Sequence, residues 1–254
     1  MTDLTDKVVL VTGGSRGIGA GIVSDLLDAN AEVILHYNQS EHEARRVADG
    51  EQGERCHLIQ ADLSQPEAPL QLWDSAIAWQ GKVDVLVNNA AIRVDCGFEE
   101  NFSTVDKAWT DSMRVNAIAP AHLCRLVTQH WRDINNQTGI IINLSSRPAY
   151  RGDQPHFFHD GASKAALSSL SYGLARFCAG DGVTVFTVVP GIILTDQASS
   201  YEAHYGLQSA LEEIPLKTFG KPQDIAKIVT FLASGDAWYA TGSTIDVGGA
   251  SYIH

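Results

Sequence analysis

Residues 12–19 read TGGSRGIG and stand between an apolar run, KVVLV (7–11), and a stretch of helical period, GAGIVSDLLDANA (19–31). A glycine-rich turn joining a strand to a helix is far more specific for phosphate binding than glycine spacing alone. Gly13 permits the tight turn, Gly17 lets backbone approach a pyrophosphate, and Gly19 allows close helix–strand packing. Ser15, Arg16 and Ile18 complete the turn. Its amides and the helix dipole are then aimed at the phosphates. The spacing is G-x3-G-x-G, not the G-x-G-x-x-G of most dinucleotide folds, and a plain glycine-rich turn is the alternative.

Outward from this turn the pattern alternates. Strands are expected at EVILHYN (32–38), RCHLIQADLS (55–64), VDVLVNNAA (83–91), TGIIINLSS (138–146), VTVFTVVPG (183–191) and GSTIDVGG (242–249). Between them, helices are expected at 41–50, 69–82, 161–179 and 222–234, and one long helix at 103–134. In the 69–82 helix, Leu70, Trp73 and Ile77 lie near one face. Near-continuous apolar strands separated by helices predict an α/β fold. Its doubly wound parallel sheet is of Rossmann type, covered on both faces in three αβα layers. The whole chain, 1–254, reads as one domain, without repeats or linkers. Residues 191–220 form a long insertion before the last helix, the kind of segment that serves as a substrate lid.

Composition fits this class. At 44% hydrophobic and 19% charged, the 254 residues can bury a substantial core. A formal charge of −12 argues against nucleic acid or an anionic membrane as partner. Cys56, Cys96, Cys124 and Cys178 are widely spaced and join no histidines at metal-ligand spacing, so no metal site is expected and reduced thiols are. The acidic start MTDLTD lacks the basic region of a signal peptide, and no apolar run approaches membrane-span length, so a cytoplasmic protein is expected.

With its turn spacing and further motifs, nearly the whole chain resembles the short-chain dehydrogenase/reductase family. NNAA (88–91) is similar to that family's NNAG segment and contains Asn89; ADLS places Asp62 where the family contacts adenine. RVNAIAP supplies Asn116, NLSS supplies Ser146, and ASK supplies Lys164, matching the family's active-site positions. PGIILT, with Pro190, Gly191 and Thr195, is similar to the segment that holds the nicotinamide; GKPQDIA and DVGG match the C-terminal signatures. The resemblance implies a nicotinamide-dependent oxidoreductase in which Asn116 holds a backbone or water relay, Ser146 contacts a carbonyl and Lys164 binds ribose. It also implies a homo-oligomer, a tetramer or dimer, since members pair through two long mid-chain helices.

Two departures refine this. NAD-selective members carry an acid at the end of the second strand for the ribose 2′-hydroxyl. Here the strand ends HYNQS (36–40), with Asn38 and Ser40 as hydrogen-bonding groups and Arg16 nearby as a charged fork, which points to NADP(H). The second departure is chemical. The family places a tyrosine four residues before the lysine, where it donates the proton as hydride arrives. Four residues before Lys164 stands Asp160, fourteen after Ser146, so the register is right and the tyrosine is absent.

Asp160 is expected to be ionised and paired with Lys164, and a carboxylate cannot donate. An isolated ketone is then a poor substrate. A ketone or quinone conjugated to a polycyclic aromatic system avoids the difficulty, because its negative charge delocalises away from the oxygen. Reductases that tailor bacterial aromatic polyketides, the angucycline ketoreductases among them, are similar to this family and act on such fused rings. Arg147, His156 and His159 are candidates to bind a substrate oxygen, and Tyr150 could fold back as a substitute donor. Two other readings stay open: a non-catalytic NADP(H)-binding sensor or subunit, and an ordinary reductase of carrier-protein-linked 3-oxoacyl chains. For the cofactor, the expected outcome is a marked preference for NADPH. Arg16→Ala should cost about 1–3 kcal/mol of NADPH binding by calorimetry while NADH binding stays unchanged.

Overall fold

The computed structural model describes residues 2–49, 53–135, 138–195 and 206–253. Among them, seven strands form one sheet: β1 (Val8–Val11), β2 (Glu32–Tyr37), β3 (Cys56–Gln60), β4 (Val85–Asn88), β5 (Ile140–Leu144), β6 (Thr184–Pro190) and β7 (Thr244–Val247). Every pairing is parallel, in the order β3-β2-β1-β4-β5-β6-β7. β1, β4, β5 and β6 are buried along their whole length, which is why their sequences are apolar runs and not alternations.

The two-residue strand period still sorts side chains into two cores. Val9 and Val11 of β1 face helix α1 (Gly17–Asp28), with Ile22 and Leu26, and the last long helix (Pro222–Ser234), with Ile225 and Val229. Val8 and Leu10 face α3 (Ala68–Gln80), with Leu72 and Trp73, and α5 (Ala119–Asp133), with Leu123 and Trp131. The short helix α6 (Pro148–Arg151) leads to helix α7 (Phe158–Cys178), which closes the second layer through Ala175 and Cys178. Helix α2 (Glu41–Ala48) joins the first layer through Ala44. The four cysteines are free thiols, and all but Cys56 are buried. No helix among the described residues is long and apolar enough to cross a membrane.

Two details differ from the sequence reading. The single long helix expected at 103–134 is α4 (Phe102–Met113) and α5, joined by a π-helical turn at Arg114–Ile118. Pro120 supplies the reason: it has no N–H to close onto the carbonyl four residues back, that of Asn116. In α3, Leu70 is exposed while Leu72, Trp73 and Ala76 are buried, so the packed stripe lies beside the expected one. In the long insertion, Ile193 bridges to Gly220 and Leu207–Glu212 is helical; residues 196–205 of the expected lid lie outside the described residues.

Strand order reverses at β1, whose neighbours are β2 and β4, so a crevice opens beyond the strands' carboxyl ends there. The glycine turn lies in this crevice. A Cβ on Gly19 would fall on the Gly13 carbonyl oxygen and 2.6 Å from the Asn89 amide nitrogen. Gly19→Ala should therefore exceed ordinary overpacking of about 1–3 kcal/mol and lower Tm by at least about 5 °C. Gly173, in α7 with no atom within 4 Å of its would-be Cβ, is the control. Gly173→Ala should stabilise by about 0.5–1 kcal/mol in the same thermal unfolding measurement.

Candidate active site

The first wall of the crevice is the glycine turn. Gly13 and Gly17 have φ of +67° and +56°, a region that side-chain-bearing residues rarely adopt. His36, at the end of β2, spans the turn and β3: its Nδ1 accepts from the Gly13 amide at 3.1 Å and its Nε2 faces the Ala61 carbonyl at 3.0 Å. An amide can only donate, so Nδ1 is unprotonated and Nε2 carries the hydrogen. Burial holds this imidazole neutral, with its pKa lowered from 6.5 to about 4. Asn89 completes the brace, donating to the carbonyls of Thr12 at 2.9 Å and Gly13 at 3.0 Å. Helix α1 begins with no side-chain cap and no acid in its first turn, leaving an N-terminus suited to an anion.

At one end of the crevice lie Arg16, Asn38, Ser40 and Asp62. Arg16 and Asn38 are exposed, and Asn38 donates to Asp62 at 3.4 Å. The Ser64 hydroxyl and amide hold the Asp62 carboxyl below its usual range. At the other end lie Ser146, after β5, and Asp160 and Lys164, on the first turns of α7. Ser15, Ile18, Pro190, Gly191 and Thr195 also line the cleft, Thr195 beside Gly17. The whole cleft has a volume of about 810 Å³, within the range of small-molecule sites.

The chemical end departs from the expected pairing. Asp160 is 5% exposed and lies 3.0 Å from Nη1 of Arg93, a residue the sequence reading did not single out. The same nitrogen lies 3.2 Å from Asp153, and the guanidinium stacks 3.8 Å from the Phe157 ring centroid. Lys164 does not make the hydrogen bond to Asp160 that a direct pair needs; its Nζ donates to the Leu144 carbonyl at 2.8 Å. Burial pushes the Asp160 carboxyl up, and the Arg93 and Lys164 charges oppose it. Burial likewise lowers the Lys164 pKa, against the pull of Asp160.

Asn116 lies behind the cleft wall, fully buried, at the centre of the π-helical turn. Its amide accepts from the Ile92 N–H at 2.9 Å and donates to the Ile92 carbonyl at 3.0 Å. The same amide nitrogen lies 3.3 Å from Asp160. Asn116 therefore ties the segment bearing Arg93 to the helix bearing Asp160.

Other candidates lie elsewhere. The Tyr150 hydroxyl lies 3.0 Å from that of Tyr172, and burial pushes its pKa up to about 12. It does not line the cleft, and no tyrosine does among the described residues. His156 faces Asp95 on the surface, and His159 is buried against the Val94 carbonyl; neither lines the cleft. Arg147 does line it, with Nη1 3.1 Å from Glu213.

The comparisons agree with this geometry. A family model described as enoyl-(acyl carrier protein) reductase matches residues 13–250. The chain belongs to the short-chain dehydrogenase/reductase family. Members of this family are NAD(P)-dependent oxidoreductases. The 3-oxoacyl-[acyl-carrier-protein] reductase FabG of Staphylococcus epidermidis is 34% identical, over 98% of this chain and 100% of that protein. The short-chain dehydrogenase/reductase FrzI of Cladobotryum sp is 33% identical, over 97% and 96%. A blue fluorescent protein from a metagenomic library, solved in complex with NADPH, superposes with a TM-score of 0.88 at 33% identity, covering 99% of this chain and 100% of that one.

The His36 brace carries a pH signature. Its folded pKa is depressed, so the stability that the neutral ring contributes is complete above pH 6.5 and is lost as pH falls toward about 4. The full effect is on the order of 3 kcal/mol. Thermal unfolding of the parent and His36→Asn between about pH 7 and pH 4 should show the steeper loss in the parent.

Proposed function

We propose that the protein is a cytoplasmic, homo-oligomeric NADPH-dependent ketoreductase, a dimer or tetramer, that reduces a conjugated polycyclic ketone or quinone without a tyrosine acid. The observation that carries this reading is the buried Asp160 carboxylate ion-paired with Arg93 at the tyrosine's place in the family pattern. The crevice fits a dinucleotide: turn glycines without Cβ atoms, an uncapped α1 N-terminus and no acid in HYNQS (36–40) at the end of β2. Arg16, Asn38 and Ser40 would hold the 2′-phosphate, Asp62 the adenine, and Lys164 the nicotinamide ribose, with Pro190, Gly191 and Thr195 along the ring. NADPH, when bound, supplies the hydride.

The chain's own residues then orient and shield the reacting carbonyl. The half-buried Ser146 lines the cleft at the end of β5 and donates a hydrogen bond to the substrate oxygen. In this reading the Arg93 ion pair outweighs the burial that raises the Asp160 pKa, so that Asp160 gives no proton and disfavours charge on a nearby oxygen. A conjugated ring system spreads that charge, and its own acidic hydroxyls, or water on Ser146, supply the proton. The segment 191–220 acts as the lid; of its described residues, Gly191, Ile192, Ile193, Leu194, Thr195 and Phe219 line the cleft.

The names of the relatives favour a second reading, reduction of 3-oxoacyl chains on a carrier protein. Steady-state kinetics separate the two. A polycyclic quinone or enone should be turned over with a kcat/KM at least about tenfold above that of a 3-oxoacyl thioester. Asp160→Asn should lose less than the roughly 10²–10⁴-fold that removal of a general acid costs. A larger loss would make Asp160 the acid, and a preference for the thioester would support the second reading. Tight NADPH binding without turnover of either substrate would favour a sensor.

A further inference from the structure

Two arginines follow Ser146 on the short helix α6, Arg147 as its N-cap and Arg151 as its last residue. Their i, i+4 spacing puts both side chains on one face of a single turn. Both guanidinium groups turn to one oxygen, Oε2 of Glu213, which follows the helix Leu207–Glu212 of the long insertion. They meet it unequally. The Arg147 side chain is 5% exposed, and its Nη1 donates to that oxygen at 3.1 Å. Arg151 keeps 32% of its side chain exposed, and its Nη1 stands 4.0 Å away, beyond hydrogen-bond reach. Both arginines line the cleft.

The other cations lining the cleft away from Arg16 are all hydrogen-bonded. Arg93 donates to Asp160 and lies beside Asp153, and Lys164 donates to the Leu144 carbonyl. Lys107, on α4, donates to Asp111 at 2.7 Å. Glu213 is taken by Arg147. The Arg151 guanidinium makes no hydrogen bond to any of the described residues. Its planar fork of N–H donors matches a carboxylate, which it can hold through two parallel bonds. Ser146 and Arg151 are separated by one helical turn, about 7 Å along its axis.

We propose that Arg151 is a specificity-determining residue that binds a carboxylate carried by the substrate at a distance from the reacting carbonyl. Glu213 neutralises the buried Arg147 and leaves the more exposed Arg151 to the ligand. The substrate is then a ring system that presents a reducible carbonyl to Ser146 and a carboxylate to Arg151, one helical turn further along the cleft wall. The inference rests on the reductase reading above and names the substrate class for that site.

Arg151→Gln tests it, with two probes that differ only in charge. Binding to the NADPH-loaded protein would be titrated for anthraquinone-2-carboxylate and for the neutral anthraquinone-2-carboxamide. NADPH affinity and thermal unfolding serve as controls for the fold. The parent should bind the carboxylate roughly tenfold more tightly than the carboxamide, the size of a charge-assisted hydrogen bond. Arg151→Gln should bring the two within about twofold of each other, by weakening the carboxylate alone. If that variant does not fold, Glu213→Gln reads the same contact with the opposite sign. Removing the neighbouring carboxylate should strengthen anthraquinone-2-carboxylate about two- to fivefold and leave the carboxamide unchanged. A parent that binds both probes equally, or neither, overturns the proposal, as do equal losses for both in Arg151→Gln. Displacement of the carboxylate by lower concentrations of 4′-phosphopantetheine, lost with Arg151, would overturn it in favour of a carrier-protein arm. NADPH oxidation on either quinone leaves the reductase reading standing whatever Arg151 does, and its absence on both overturns that reading.

Discussion

The carbonyl of Gly13 and the backbone of Gly19 approach so closely that no side-chain carbon fits between them, and the cleft exists because they do. This approach folds the chain from β1 directly into α1 and points the helix N-terminus at the reversal of sheet order between β1 and β4. Glycine alone does not hold such a turn, since its freedom costs entropy on folding. The brace comes from elsewhere: His36 from β2 on the Gly13 amide, and Asn89 from the end of β4 on the carbonyls of Thr12 and Gly13. Two segments distant in sequence are thus locked to one turn.

A second constraint operates at the far end of the cleft. Asp153, Asp160, Arg93 and Lys164 bring two carboxylates and two cations to one largely dry place. Desolvating such groups is expensive, and their mutual attraction offsets that cost only with good geometry. The geometry is supplied by rigid supports: Asn116 clasps both backbone groups of Ile92, and Lys164 hangs from the Leu144 carbonyl. Removing one member strands the rest, so the group has one favourable arrangement. The π-helical turn that aims Asn116 inward belongs to the same device, and its origin is the missing N–H of Pro120.

The comparisons place this fold among proteins whose names range from reduction of 3-oxoacyl chains to blue fluorescence. A shared fold with such varied uses means that function must be argued from the site. In this chain the glycine turn matches the motif spacing on which the family resemblance rests, whereas the far end of the cleft carries the Asp160–Arg93 ion pair at the first turn of α7.

The amino-acid sequence by itself determined the parallel sheet, because strands buried on both faces must be apolar throughout. It also determined the glycine turn, because only residues without a Cβ meet its steric demand. The placing of Asp160 one turn before Lys164 was legible too, since i, i+4 spacing is a local property of one helix. The partners of Asp160 were not legible. Arg93 is 67 positions away and meets it only because the segment after β4 reaches the start of α7; an arginine two residues beyond NNAA was the available signal. His36 read as a strand residue, since nothing local shows which amide its ring will meet. Tyr150 stayed open as a donor until packing turned its hydroxyl toward Tyr172. Local sterics and periodicity are written residue by residue, whereas the pairing of buried charges and hydrogen bonds depends on which distant segments the sheet brings together.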